Sequence, residues 1–149
     1  MRRREAREIV FRVLYQTEIG HFELNSSLAQ VIEELKPSRE VVEFASQLVK
    51  ELGAHAKEID AVISEVSRRW RLERMAVTDR NILRIAVSEL IYIREVPARV
   101  AMDEAIELAK KYGDEGSGRF VNGILDTVAK RFRGEELLQK GPRDGLKQA

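Results

Sequence analysis

Cysteine is absent from the 149 residues. That excludes disulfides, Cys-type zinc sites and thiol nucleophiles together. Histidine is scarce: His21 and His55 are the only two. Neither has a ligand-spaced partner, no HExxH or GxSxG pattern occurs, and both read as ordinary surface histidines. No apolar run approaches the ~18 residues of a membrane span. The basic start Met1-Arg2-Arg3-Arg4 meets Glu5 and Glu8 rather than the apolar core of a secretory signal. These absences favour a soluble cytoplasmic protein with no metal and no cofactor. Charge of one sign is also lacking. Lys and Arg total 26 against 25 Asp and Glu, a net of +1, so only the distribution of charge can point to a partner.

What remains is a helical pattern. Hydrophobic residues make up 44% and charged ones 34%, with 3 Pro and 9 Gly, most at natural breaks, which excludes collagen-like and disordered classes for the bulk of the chain. Ala6, Val10, Val13, Leu14 and Thr17 form one stripe that Gly20 ends. Ser26 or Ser27 can cap a second helix carrying Leu28, Val31, Ile32 and Leu35. After Pro37-Ser38 a long amphipathic stretch runs from about Arg39 to Arg69, with Gly53 as a point of interruption. Trp70 to Val77 is a connector. Further helices are expected after Thr78, over Val100–Tyr112 and over Ser117–Phe132. Asn122-Gly123 is a hairpin signal elsewhere, but no second strand is available here, and Gly123 reads as a close helix–helix approach. The chain is therefore an all-α bundle of about six or seven helices over residues 1–132. Residues 133–149 are expected to form a frayed tail.

Enzyme constellations are weak, and paired acids such as Glu33-Glu34 read as solvated faces. The Gly-rich run 113–118 lacks the Lys-Ser/Thr of a P-loop; it is a connector or a place where helix N–H groups meet one phosphate. The arginines are more informative. Arg2, Arg3, Arg4, Arg7 and Arg12 are five of the first twelve residues. Arg2 to Arg4 read as an arm preceding the first helix, suited to phosphates; an ordinary solvated terminus explains them equally. Phe120, after Arg119, is either core or a platform for a base. Trp70, within Arg68-Arg69-Trp70-Arg71, reads as core in preference to a stacking group. Asp79 complements a helix dipole, although its projection near the Ile82–Ala86 face is odd for a solvated acid.

Several ordered blocks together resemble the NusB family. They are Trp70 to Arg74, Asp79-Arg80-Asn81-Ile82-Leu83-Arg84-Ile85-Ala86, Glu89-Leu90, the run from Asp103 to Gly113, and Phe120-Val121-Asn122-Gly123-Ile124-Leu125-Asp126. The resemblance covers most of the chain, to about Lys130. It implies two small helical bundles sharing one core, and no catalysis. It implies binding of boxA RNA in ribosomal RNA leader transcripts together with NusE, which is also a small-subunit ribosomal protein. It further implies a place in an antitermination complex on RNA polymerase with NusA and NusG. Its basic patch maps onto Arg2, Arg3, Arg4 and Arg7, and its aromatic RNA contact onto Phe120 with Arg119 before it. Glu73 and Asp79 match acidic positions at the RNA and NusE surfaces. A loop position often acidic in the family falls on Gly116, which the resemblance assigns with Asp79 to the NusE surface.

Two other classes stand beside this one. The fold is similar to the RNA-binding domain of ribosomal RNA cytosine methyltransferases, but this chain has no SAM-binding α/β region and no Cys nucleophile. A protein-interaction scaffold without RNA contact is opposed only modestly by the arginines.

Overall fold

The computed structural model describes residues 2–139, which form seven α-helices, one short 3-10 turn and no strand. The helices are α1 (Arg2–Gly20), α2 (Leu24–Leu35), α3 (Arg39–Ala54), α4 (Ala56–Val66), α5 (Val77–Tyr92), α6 (Ala98–Tyr112) and α7 (Ser117–Gln139), with the 3-10 turn at Leu72–Arg74. No helix among these residues is long and apolar enough to cross a membrane.

Local chemistry sets most boundaries. The cap of α2 is Glu23, not Ser26 or Ser27: its carboxylate accepts from the backbone N–H of Ser26 at 2.9 Å and of Asn25 at 3.2 Å. The Ser26 hydroxyl, which also donates to it at 2.9 Å, and then these backbone bonds hold Glu23 below the usual carboxylate range. Ser38 caps α3 by accepting from the N–H of Val41. Gly53 lies inside α3; the interruption comes at His55, which stacks on Tyr92 with ring centres 3.7 Å apart. Arg2 to Arg4 are the first turn of α1, not an arm before it.

Helices α1, α2 and α3 pack together, and α4, α6 and α7 gather on α5. Both α1 and α3 also contact α5, so the two groups share one core. That core explains why α5 is apolar on several faces: Ile82, Leu83, Ile85, Ala86, Val87 and Leu90 are all buried. The small row Ala98, Ala101, Ala105 and Ala109 is the buried side of α6 and allows close packing with its neighbours.

Three further expectations fail. Gly123 is exposed, and a Cβ there meets nothing within 4 Å, so it marks no close approach. Trp70 is 53% exposed, because Leu72 and Met75 take the inward positions of the connector. The tail does not begin at 133. The helix kinks at Arg133 and continues to Gln139, and Arg133 is buried. Its guanidinium donates to the carbonyls of Leu90 and Val96, each at 2.9 Å, and to Glu136 at 2.6 Å. A cation thus sits on the carbonyl end of α5, where the helix dipole favours it. The tail residues 140–149 lie outside the described residues.

Candidate nucleic-acid interface

The N-terminal arginines leave α1 in different directions. Arg2 pairs with Glu40 of α3 at 3.2 Å, both side chains largely exposed. Arg3 lies over the ring of Phe44, 4.4 Å from its centre. Arg4 grips Glu104 of α6 with two hydrogen bonds, of 2.9 and 2.8 Å. That contact holds the Glu104 carboxyl below its ordinary range and raises the guanidinium. Arg7 differs from the other three. It is 3% exposed and is committed to Glu89 of α5, itself 1% exposed, through bonds of 2.8 and 2.7 Å. A guanidinium so enclosed cannot reach a phosphate, so Arg7 leaves the set of RNA contacts expected from the sequence. Exposed pairs such as Arg2–Glu40 contribute little and exchange readily for a phosphate partner.

Helix α6 carries this charge across the molecule. A cleft of about 560 Å³ contains Arg3, Arg4 and Glu104. A second, of about 340 Å³, shares Arg4 and extends to Lys110 and Lys111. A third, of about 1070 Å³, shares Lys110 and ends at Gly116, Arg119 and Asn122. The three form a continuous track from Arg3 to the start of α7. Lys110 and Lys111, which link them, read in the sequence only as complements to a helix dipole. Their spacing from Arg119 is visible only when α6 and α7 lie antiparallel. Lys111 also holds Glu8 of α1 at 3.0 Å, which draws its own ammonium up.

At the end of the track the α6–α7 turn is tight. A Cβ on Gly113 falls 2.4 Å from the Ser117 Oγ and 2.8 Å from the Ala109 carbonyl, so only glycine fits. The Ser117 hydroxyl accepts from the Asp114 N–H at 3.0 Å. Gly116 is open, with nothing within 4 Å of a Cβ. Arg119 is exposed. Phe120 is half-buried, packed on the core along part of its surface. It is neither wholly core nor wholly a platform.

The two acids lie elsewhere. Asp79, in the first turn of α5, is 9% exposed, and its Oδ1 has no hydrogen-bond partner. Glu73 is exposed in the connector, 3.7 Å from Arg71. Near Asp79 an apolar cleft of about 680 Å³ is lined by Phe11, Tyr15, Leu35, Thr78 and Tyr112, with Phe11 and Tyr112 stacked at 4.9 Å. Tyr15 is exposed. Its place one turn beyond Phe11, off the main stripe, was the available signal.

The NusB family model matches residues 4–130. The transcription antitermination protein NusB of Anaeromyxobacter sp. (strain Fw109-5) is 47% identical over 130 residues, covering 87% of this chain and 90% of its own. The chain belongs to the NusB family. Its fold agrees with T. maritima NusB at a TM-score of 0.84 and 39% identity, covering 90% of this chain and 95% of the other. It also agrees with a chain in a crystal structure of antitermination factors NusB and NusE in complex with dsRNA, at 0.81 and 31% identity, covering 88% and 98%.

For this NusB-family chain the enzyme alternative falls away, since its relatives are antitermination proteins. The structure brings Arg3, Arg4 and Arg119 to one track, with Arg2 at its rim, whereas Phe120, next to Arg119 in α7, packs partly on the core and lines none of the three clefts. It places Asp79 beside a separate apolar cleft and Glu73 in the connector between α4 and α5. At Gly116 the backbone has no positive φ and the side is open, so an acidic side chain fits there sterically.

Proposed function

We propose that this chain acts in transcription antitermination by holding boxA RNA of ribosomal RNA leader transcripts together with NusE. The observation that carries the reading is the row of basic side chains from Arg3 through Lys110 to Arg119, set among acids such as Glu104, Glu107 and Glu115, with half-buried Phe120 next to Arg119 in α7. Arginines and lysines supply a sequence-independent grip on phosphates. An aromatic face offers stacking to an unpaired base. Glu104 keeps Arg4 pointed along the track until a phosphate competes for it.

NusE takes a different face. The buried, unpartnered Asp79 Oδ1 calls for a donor, and a basic group of NusE supplies it at the edge of the cleft lined by Phe11, Tyr15 and Tyr112. RNA and NusE then occupy adjoining surfaces, and the pair joins NusA, NusG and RNA polymerase in the cytoplasm. Glu73, exposed in the connector beside Arg71, is kept as an RNA-surface residue on the resemblance alone.

The test is a titration of boxA RNA with and without NusE. NusE should tighten RNA binding, and RNA should tighten NusE binding by the same factor. No binding of boxA RNA, with or without NusE, would leave a protein scaffold as the better reading.

A further inference from the structure

The connector between α4 and α5 leaves the chain's one tryptophan outside the fold. Trp70 is 53% exposed and stands among Arg68, Arg69 and Arg71, all exposed. Its position is built. The Trp70 N–H donates to the Ser67 carbonyl at 2.8 Å, closing a turn, and the buried Ser67 hydroxyl donates to the Ile63 carbonyl at 2.8 Å. On the other side Arg80 donates to the Met75 carbonyl at 2.7 Å and is itself held by Glu18 of α1. Leu72 and Met75 anchor the segment inward. An indole on a pinned turn is kept from swinging into the core.

The charge here is also unspent. Among the described residues the side chains of Arg68, Arg69 and Arg74 form no salt bridge, and Arg71 has only the loose contact with exposed Glu73. Nearby Glu65 is engaged by Arg131. By contrast Arg2, Arg4 and Arg7 each hold a carboxylate. Glu18 lies fourteen residues along α1 from Arg4, about 21 Å of helix, so this patch and the start of the track are at opposite ends of α1.

We propose that Trp70 with Arg68, Arg69 and Arg71 is a second contact for single-stranded RNA, with the indole stacking on a base and the guanidinium groups meeting the flanking phosphates. An aromatic face between cations fits the alternation of base and phosphate along a strand and needs no particular sequence. The patch grips RNA flanking the segment held on the Arg3–Arg119 track. The choice of RNA over an acidic protein segment rests on the RNA-binding reading above.

Because Trp70 is the only tryptophan, its fluorescence reports on this patch directly. The full chain is titrated at low salt with oligouridylate of about a dozen nucleotides, within the usual size of single-strand sites. Saturable quenching is expected. Arg69→Ser combined with Arg71→Ser should abolish it with helical circular dichroism unchanged. Anisotropy of the labelled oligonucleotide should show Trp70→Ala binding about tenfold weaker and Trp70→Phe close to wild type. In parallel, labelled boxA RNA is titrated against wild type and Phe120→Leu. If boxA binding depends on Phe120 but Trp70 emission ignores oligouridylate and extended boxA RNA alike, this proposal fails and the first reading stands. If oligouridylate quenches while boxA binding is indifferent to Phe120, this patch stands and the track does not. Quenching by polyglutamate and not by RNA overturns the proposal in favour of an acidic protein partner. No RNA binding at all overturns both.

Discussion

Arg7 and Glu89 meet inside the protein through two side-chain hydrogen bonds, of 2.8 and 2.7 Å, with 3% and 1% of each residue exposed. The pair fastens the N-terminal end of α1 to the C-terminal part of α5. Removing one member leaves the other charge buried and alone. Arg7→Met should therefore destabilise the fold by about 3–5 kcal/mol, and Arg7→Met with Glu89→Leu should recover much of it. Burial already pushes the Glu89 carboxyl upward, against the pull of Arg7. Without Arg7 it rises further. A carboxyl whose folded pKa lies above its unfolded value contributes stability at low pH, and that contribution is lost as pH rises through the folded value. The deficit of Arg7→Met should thus shrink as pH falls from neutrality toward the ordinary carboxylate range, as read by urea unfolding. A deficit independent of pH would mean that Glu89 is already protonated beside Arg7.

Phe120 is half-buried, so its two roles must be separated by the choice of variant. Phe120→Ala should weaken RNA binding by roughly 1–3 kcal/mol through lost stacking. Its folding cost should stay below the roughly 3–5 kcal/mol of a fully buried Phe. Phe120→Leu preserves most of the packing and removes the ring. It should unfold near the wild-type midpoint and still bind RNA poorly. Wild-type RNA affinity in Phe120→Leu would remove stacking from the interface.

Asp79 is too enclosed for a charge reversal to be a clean probe. Asp79→Asn keeps the shape and removes the charge. The free protein loses a favourable dipole contact but no longer buries an unpaired charged oxygen, so its stability should change by less than about 1 kcal/mol. NusE affinity should fall roughly tenfold or more, because a basic partner group would lose its counter-charge. Isothermal titration with NusE measures this. Undiminished affinity in a folded Asp79→Asn protein would move the partner surface elsewhere.

Two glycines of one turn should respond oppositely. Gly113→Ala drives a Cβ against Ser117 and the Ala109 carbonyl and should lose about 1–3 kcal/mol of stability. Gly116→Asp meets nothing and should stay within about 0.5 kcal/mol of wild type. Its effect should appear in RNA titrations, as weaker binding near Arg119 that salt partly masks. Equal melting shifts in the two variants would contradict the geometry of the turn.

Most elements and the proline breaks were legible because they depend on neighbours in sequence, whereas the start of α1, the break after α3 and the extension of α7 past Arg133 were not. Apolar spacing marks α1, α5 and α7, and Pro37-Ser38 and Pro97 end and begin helices by local backbone chemistry. The caps were less legible: Glu23 does at α2 what serine usually does, since any nearby carboxylate oxygen can accept from the first turn. The family was legible too, because ordered blocks such as Asp79–Ala86 and Phe120–Asp126 are linear patterns.

The disposition of individual side chains was decided elsewhere. Arg7 looks like Arg2, Arg3 and Arg4 in sequence; only Glu89, 82 residues away, turns it inward. Trp70 has the composition of a core residue, yet Leu72 and Met75 fill the space beneath the connector. Lys110 joins the track through its antiparallel neighbour α7. Helical periodicity and capping are properties of short stretches of chain and can be read from them. Burial and charge pairing belong to contacts between distant stretches, and those exist only once the helices have packed.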